Sequence, residues 1–178
     1  MPLKLGQPAP NFTLNSTKGK ISLSDYKGKW VVLFTHPADF TPICSTEVPE
    51  FARRSKEFEG LNAQLVGASV DSVFSHIAWI KDLENSTGVK INFPIMADTN
   101  KDLAKKYEVY DEESGLTYRG VFIIDPEGKL QYALYHPMQM GRSVAEILRV
   151  LKALQTGGLT PAEWKPGEPL LEPPKTKI

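Results

Sequence analysis

The chain carries a single cysteine, Cys44, in the run His36-Pro37-Ala38-Asp39-Phe40-Thr41-Pro42-Ile43-Cys44-Ser45-Thr46-Glu47. A helix opening at Thr41 would have a hydroxyl N-cap, a proline at its first position where the missing N–H costs nothing, and Cys44 at its third. An N-cap oxygen normally accepts from the N–H of that third residue, so the Thr41 hydroxyl is expected beside the Cys44 sulfur. Unpaired N–H groups and the positive helix end favour the thiolate, and only the thiolate is nucleophilic. A cysteine that merely packs as a small hydrophobe gains nothing from such surroundings, so the spacing points to a reactive sulfur.

The elements around it follow from hydrophobic patterning. Residues 30–36 form a short continuous apolar run of strand length, as a strand covered on both faces requires. The same reading fits 64–70, 93–97 near a sheet edge, and 120–125. The last of these turns at Pro126-Glu127-Gly128-Lys129 into 130–135, a hairpin by its turn chemistry. Helical patterns lie between, over 42–59, 72–83, 99–107 and 143–154, the last with Val144, Ile147, Leu148 and Leu151 on one face. Pro49 lacks an N–H and is expected to kink the first helix one turn after Cys44. Alternating strands and helices followed by a hairpin imply an α/β fold with a mixed central sheet flanked by helices.

The 178 residues are most simply one domain. We divide the chain into a main domain over 1–158, with an N-terminal extension, and a proline-rich extended arm over 159–178. Its prolines forbid helix, and Trp164, Leu170 and Leu171 favour docking of the arm on this or a neighbouring subunit. With 21 basic against 21 acidic residues there is no net charge to draw in nucleic acid. Residues 1–10 lack the apolar stretch of a signal peptide, and no run approaches the ~18 residues of a membrane span. A cytoplasmic protein without membrane partners is expected. The triplets at Asn11, Asn15 and Asn85 are then chance matches to a glycosylation signal. One cysteine allows no internal disulfide, so any disulfide must form with another molecule.

A strand running into a helix whose start bears a reactive cysteine is the thioredoxin-like arrangement, yet no CxxC pair is present, which excludes a dithiol mechanism. Pro37, Thr41 and Cys44 instead spell PxxxTxxC, and here the chain resembles the peroxiredoxins, thiol peroxidases that reduce hydroperoxides. The resemblance extends through Ser75–Ile80, Phe93–Asp98, Tyr118–Asp125, Gly141–Ser143 and Glu146–Arg149, over roughly residues 3 to 167. Thr160-Pro161-Ala162-Glu163-Trp164 has threonine where two-cysteine members carry a resolving cysteine, so the chain looks like the one-cysteine type. Thr160 stands either as the native residue or in place of such a cysteine.

Attack on a peroxide needs donors for both oxygens and a nearby cation. Thr41 offers a hydroxyl, and Arg119 is the best cation candidate because its guanidinium stays charged and can donate to sulfur and peroxide together. The resemblance implies the same role for Arg119, and it implies that Glu47 and Arg142 form a network orienting the arginines. Pro37 is expected to shape the pocket and exclude water. His36 is expected to pack or hydrogen-bond rather than act as base, and Trp79 to be core or pocket wall. His76 and His136 share no ligand spacing with Cys44, so no metal and no cofactor are expected.

Oxidation would leave Cys44 as a sulfenic acid, to be recycled by an external thiol, either a thioredoxin-like protein or a small thiol such as glutathione. The resemblance implies a homodimer or a ring of dimers. The alternative is a holdase chaperone or peroxide sensor using the same cysteine, which would turn over slowly with general thiols. A binding module with an inert cysteine would show an ordinary thiol titration.

Overall fold

The computed structural model describes residues 2–175. Among the described residues, nine strands and five α-helices follow one another. A seven-stranded mixed sheet has the order β2-β1-β5-β4-β3-β8-β9. Its centre is β3 (Trp30–Thr35), parallel to β4 (Ala63–Ser69) on one side and antiparallel to β8 (Arg119–Ile124) on the other. On the β4 side lies the parallel strand β5 (Ile95–Ala97), and on the β8 side the antiparallel strand β9 (Leu130–His136). The β8–β9 turn is locked by the Asp125 carboxylate, which accepts from the N–H groups of Glu127 and Lys129 at 2.9 Å each, and by Gly128 at φ +87°. This is the thioredoxin-like fold expected from the sequence.

Both faces of β3 are covered, as its unbroken apolar run demands. Val31 and Leu33 belong to one core with Phe12, Val66, Met96, Tyr107, Phe122 and Ile124. Phe34 points the other way and stacks on Phe51 of α1 (Cys44–Arg53) at 4.1 Å between centroids, with Phe93 edge-on at 5.6 Å. The helix that bears Cys44 is thus anchored to the strand that leads into it.

Four expectations need correction. The run at 93–97 is not at an edge, because a hairpin of β1 (Thr13–Ser16) and β2 (Gly19–Ser22) adds outside β5 through the pair Ser16–Met96. The first helix is two helices, α1 and α2 (Ser55–Gly60), and the interruption falls at Arg54 (φ −103°, ψ 10°); helix assignment runs through Pro49. Helix α3 (Val73–Thr87) is capped by Ser72 and runs a turn beyond the expected 83 to Gly88, whose φ of +72° suits a left-handed C-cap. Helix α4 shrinks to Asp102–Lys106, and the chain then forms a small hairpin of β6 (Tyr110–Asp111) and β7 (Leu116–Thr117).

The chain divides into two compact units, Met1–Arg142 and Ser143–Ile178. The second contains α5 (Val144–Thr156), which is capped by Ser143 and buries Val144, Ile147, Leu148 and Leu151. Among the described residues the arm that follows has no helix but doubles back, with Leu171 N–H donating to the Leu159 carbonyl at 2.9 Å. Trp164 is buried and its indole N–H donates to the Glu168 carbonyl at 3.0 Å, while Leu170 and Leu171 remain exposed. The end of the arm, 176–178, lies outside the described residues.

Candidate active site

Cys44 sits at the first residue of α1, immediately beyond the loop that leaves β3, and is fully buried. Arg119, the first residue of β8, comes to it from the neighbouring strand. One guanidinium nitrogen, Nη1, lies 3.2 Å from Cys44 Sγ and 2.6 Å from Glu47 Oε1. Its Nε donates to the Met138 carbonyl at 2.7 Å. The second nitrogen, Nη2, has no hydrogen-bond partner among the described residues, so its two N–H donors are unused.

Glu47, one turn along α1, is the hinge of this network. Its Oε2 accepts from the Arg142 N–H at 2.8 Å and from Arg142 Nε at 2.7 Å, and its Oε1 accepts from Arg142 Nη2 at 2.9 Å. Arg142 Nη1 closes the frame on the Gly120 carbonyl at 2.7 Å. Burial alone would raise the Glu47 carboxyl, but the hydrogen bonds and charge of Arg142 and Arg119 outweigh it and hold the group below its usual range. Two guanidinium groups against one carboxylate leave a surplus positive charge in a buried place, and an ionised Cys44 would balance it.

Thr41 departs from the expected cap. Its carbonyl accepts from Ser45 N–H at 3.0 Å, so the helical turn does open there, but its hydroxyl donates to the Ala38 carbonyl at 2.6 Å. The cause is the loop: Phe40 has φ +59°, which turns the chain so that Ala38 C=O faces back toward Thr41. The hydroxyl oxygen retains lone pairs for another donor. Among the described residues, the N–H groups of Ile43 and Cys44 reach no acceptor. Pro37 is buried in the same loop, and Trp79 is buried with its indole N–H on Ser45 Oγ at 3.2 Å.

The histidines are closer to this loop than sequence spacing suggests. His36 Nε2 and His76 Nδ1 each lie 2.6 Å from one oxygen of Asp39, and Asp71 Oδ2 accepts from Asp39 N–H at 3.0 Å. These four side chains offer donor atoms all within 4.8 Å of one another. Two atoms bound to one zinc-type ion would stand about 3.3 Å apart, so contacts of 2.6 Å are shared protons instead. Sequence reasoning missed Asp39; its only signal was its place three residues after His36.

The AhpC/TSA family model matches residues 5–133. The chain is 51% identical to a peroxiredoxin of Thermoplasma volcanium, over 100% of this chain and 90% of that protein. It is 53% identical to peroxiredoxin 2 of Picrophilus torridus, over 99% and 90% respectively. Among solved structures it resembles a yeast mitochondrial 1-Cys peroxiredoxin, described for its thiol resolving mechanism via glutathione/thioredoxin systems, with 40% identity, a TM-score of 0.89, and coverage of 94% of this chain and 85% of that one. The cysteine, the arginine against it and these likenesses agree, and the chain belongs to the AhpC/TSA family, the peroxiredoxins.

Proposed function

We propose that this thiol peroxidase reduces hydrogen peroxide and small organic hydroperoxides by attack of the Cys44 sulfur, with Thr41 and Arg119 holding the peroxide, Pro37 walling the pocket, and Glu47 and Arg142 fixing Arg119. The observation that carries this reading is the 3.2 Å contact between Arg119 Nη1 and Cys44 Sγ in a buried, net positive frame. A cation against sulfur stabilises negative charge on it and makes it nucleophilic.

The thiolate attacks one oxygen in line with the O–O bond. An S–O bond forms, the O–O bond breaks, and negative charge develops on the departing oxygen, which takes a proton and leaves as water or an alcohol. Nη2 of Arg119 and the unused N–H groups of Ile43 and Cys44 are donors for those oxygens, while the Thr41 hydroxyl can accept the peroxide's own O–H. Cys44 is left as a sulfenic acid. A thiol then displaces water to give a mixed disulfide, and a second thiol releases Cys44 with a disulfide as product. Since the sulfur is closed from solvent, the rim must open locally to admit each partner.

An external thiol is required because Cys44 is the only cysteine; the glutathione and thioredoxin systems named for the yeast relative are the first to try. No helix among the described residues is long and apolar enough to cross a membrane, and dependence on a thiol pool suits a cytoplasmic setting. A homodimer or ring of dimers is supported by Phe74 and Ile77, 84% and 52% exposed and three residues apart on α3, and sedimentation velocity measures it. The test of function is peroxide consumption with glutathione or a thioredoxin-like protein as reductant. Cys44→Ser is expected to abolish it, and activity surviving that change refutes the reading.

A further inference from the structure

The loop 36–41 has one unusual property: a non-glycine residue, Phe40, in the left-handed region, although the residue is 57% exposed. Such backbone persists only where its surroundings over-determine it. On its C-terminal side Thr41 bonds back to Ala38. On its N-terminal side everything converges on Asp39.

Asp39 Oδ1 meets His36 at the end of β3, and Oδ2 meets both His76 and Ser75 Oγ (2.9 Å) on α3. Its backbone N–H is held by Asp71, itself fixed by Ser69 Oγ at 2.6 Å at the end of β4. His76 reaches on to β5, with Nε2 2.9 Å from the Met96 carbonyl. Through these contacts the Asp39 carboxylate is tied to β3 and α3 directly and to β5 by way of His76. Burial disfavours a cation at His36, whose Nε2 meets Asp39 and whose buried Nδ1 is unpartnered. Among the described residues, Asp71 and the two histidines are the titratable groups against Asp39; Glu47, Arg119 and Arg142 bond to one another instead.

We propose that Asp39 is a positioning residue for the reaction at Cys44: its carboxylate, clamped between His36, Ser75 and His76, fixes the strained loop and so holds the Thr41 hydroxyl at the helix mouth. The inference rests on the peroxidase reading above. It assigns Asp39 no contact with the peroxide; the residue acts through Thr41, two positions along the chain.

Two measurements test it. The first needs no activity: nitrogen-15 NMR of the imidazole groups at pH 7.5. His76 Nδ1 is expected to show the shift of a hydrogen-bonded nitrogen in the native chain and to lose it in Asp39→Asn. A His76 Nδ1 without that hydrogen bond in the native protein overturns the proposal. The second compares two reactions of Cys44, oxidation by peroxide and alkylation by iodoacetamide. Loss of positioning is expected to slow peroxide oxidation in Asp39→Asn by about 10²-fold while alkylation changes far less, since only the peroxide uses the placed hydroxyl. If both rates fall together, or neither falls, the proposal is overturned. Should Asp39→Asn fail to fold, His76→Gln removes one side of the clamp, and its peroxide and iodoacetamide rates are compared in the same way. Failure of the native chain to react with peroxide at all would instead refute the peroxidase reading.

Discussion

Among individual residues, the decisive one beside the sulfur is Arg119, because among the described residues it is the side chain that hydrogen-bonds to both the Cys44 and the Glu47 side chains. Lysine in its place would keep a charge but lose the fork that spans Sγ, Glu47 and the Met138 carbonyl while leaving Nη2 unused. Removing a donor aimed at developing oxyanion charge typically costs about 10²–10³ in rate. Arg119→Lys is therefore expected to lower the second-order rate with peroxide by about that factor, measured by competition against a reference peroxidase. A rate within threefold of native, roughly 0.7 kcal/mol, would show that the fork does not act. The reading of Arg119 from sequence rested on charge chemistry and family likeness together. Thr41 was harder to place, since a hydroxyl can cap forward or bond backward, and the choice depended on a left-handed Phe40 that no residue-type rule would assign to phenylalanine.

The elements explain why the site could be read in outline and not in detail. Strand β3 was legible because a strand buried on both faces needs the continuous apolar run Trp30–Phe34 carries, and α5 because its apolar residues repeat at helical spacing. The β1–β2 hairpin was not legible: Thr13–Ser16 and Gly19–Ser22 are short and mostly polar, as a sheet margin permits. Nor was the break at Arg54, which no glycine or proline marks. At the site, the frame depends on a glycine whose role is steric. A Cβ at Gly120 would lie 2.7 Å from Phe122 Cε2 and 2.8 Å from Val109 Cγ1, and its carbonyl is the Arg142 Nη1 acceptor. Gly120→Ala is expected to destabilise the protein by about 1–3 kcal/mol in thermal or urea unfolding. It should also slow Cys44 oxidation under conditions where the protein remains folded, because β8 carries Arg119 next to it. Native stability in this variant would mean that β8 can shift freely.

For the molecule as a whole, the buried charges make the fold sensitive to acid. Glu47 and Asp39 are both held below the usual carboxylate range: burial opposes this in each, but the arginines at Glu47 and the histidines at Asp39 prevail. A carboxyl depressed in the folded state contributes stability that is complete above its unfolded value, about 4, and is lost as pH falls from there toward the depressed value. Urea midpoints are therefore expected to start falling below about pH 6.5, where the unfolded chain protonates His36 and the buried ring does not, and to decline further below about pH 4 as the carboxylates are protonated. Glu47→Gln should be less stable at pH 7 by about 3–5 kcal/mol, since it leaves buried guanidinium groups without a counter-charge, and should decline less in acid. Equal slopes for the two proteins would contradict the assignment. The central claim, that Cys44 takes the oxygen, is tested most directly by intact and peptide mass spectrometry after mixing reduced protein with less than one equivalent of hydrogen peroxide. The expected result is one oxygen atom added at Cys44, lost again on adding thiol; peroxide consumed with Cys44 still a free thiol would contradict it.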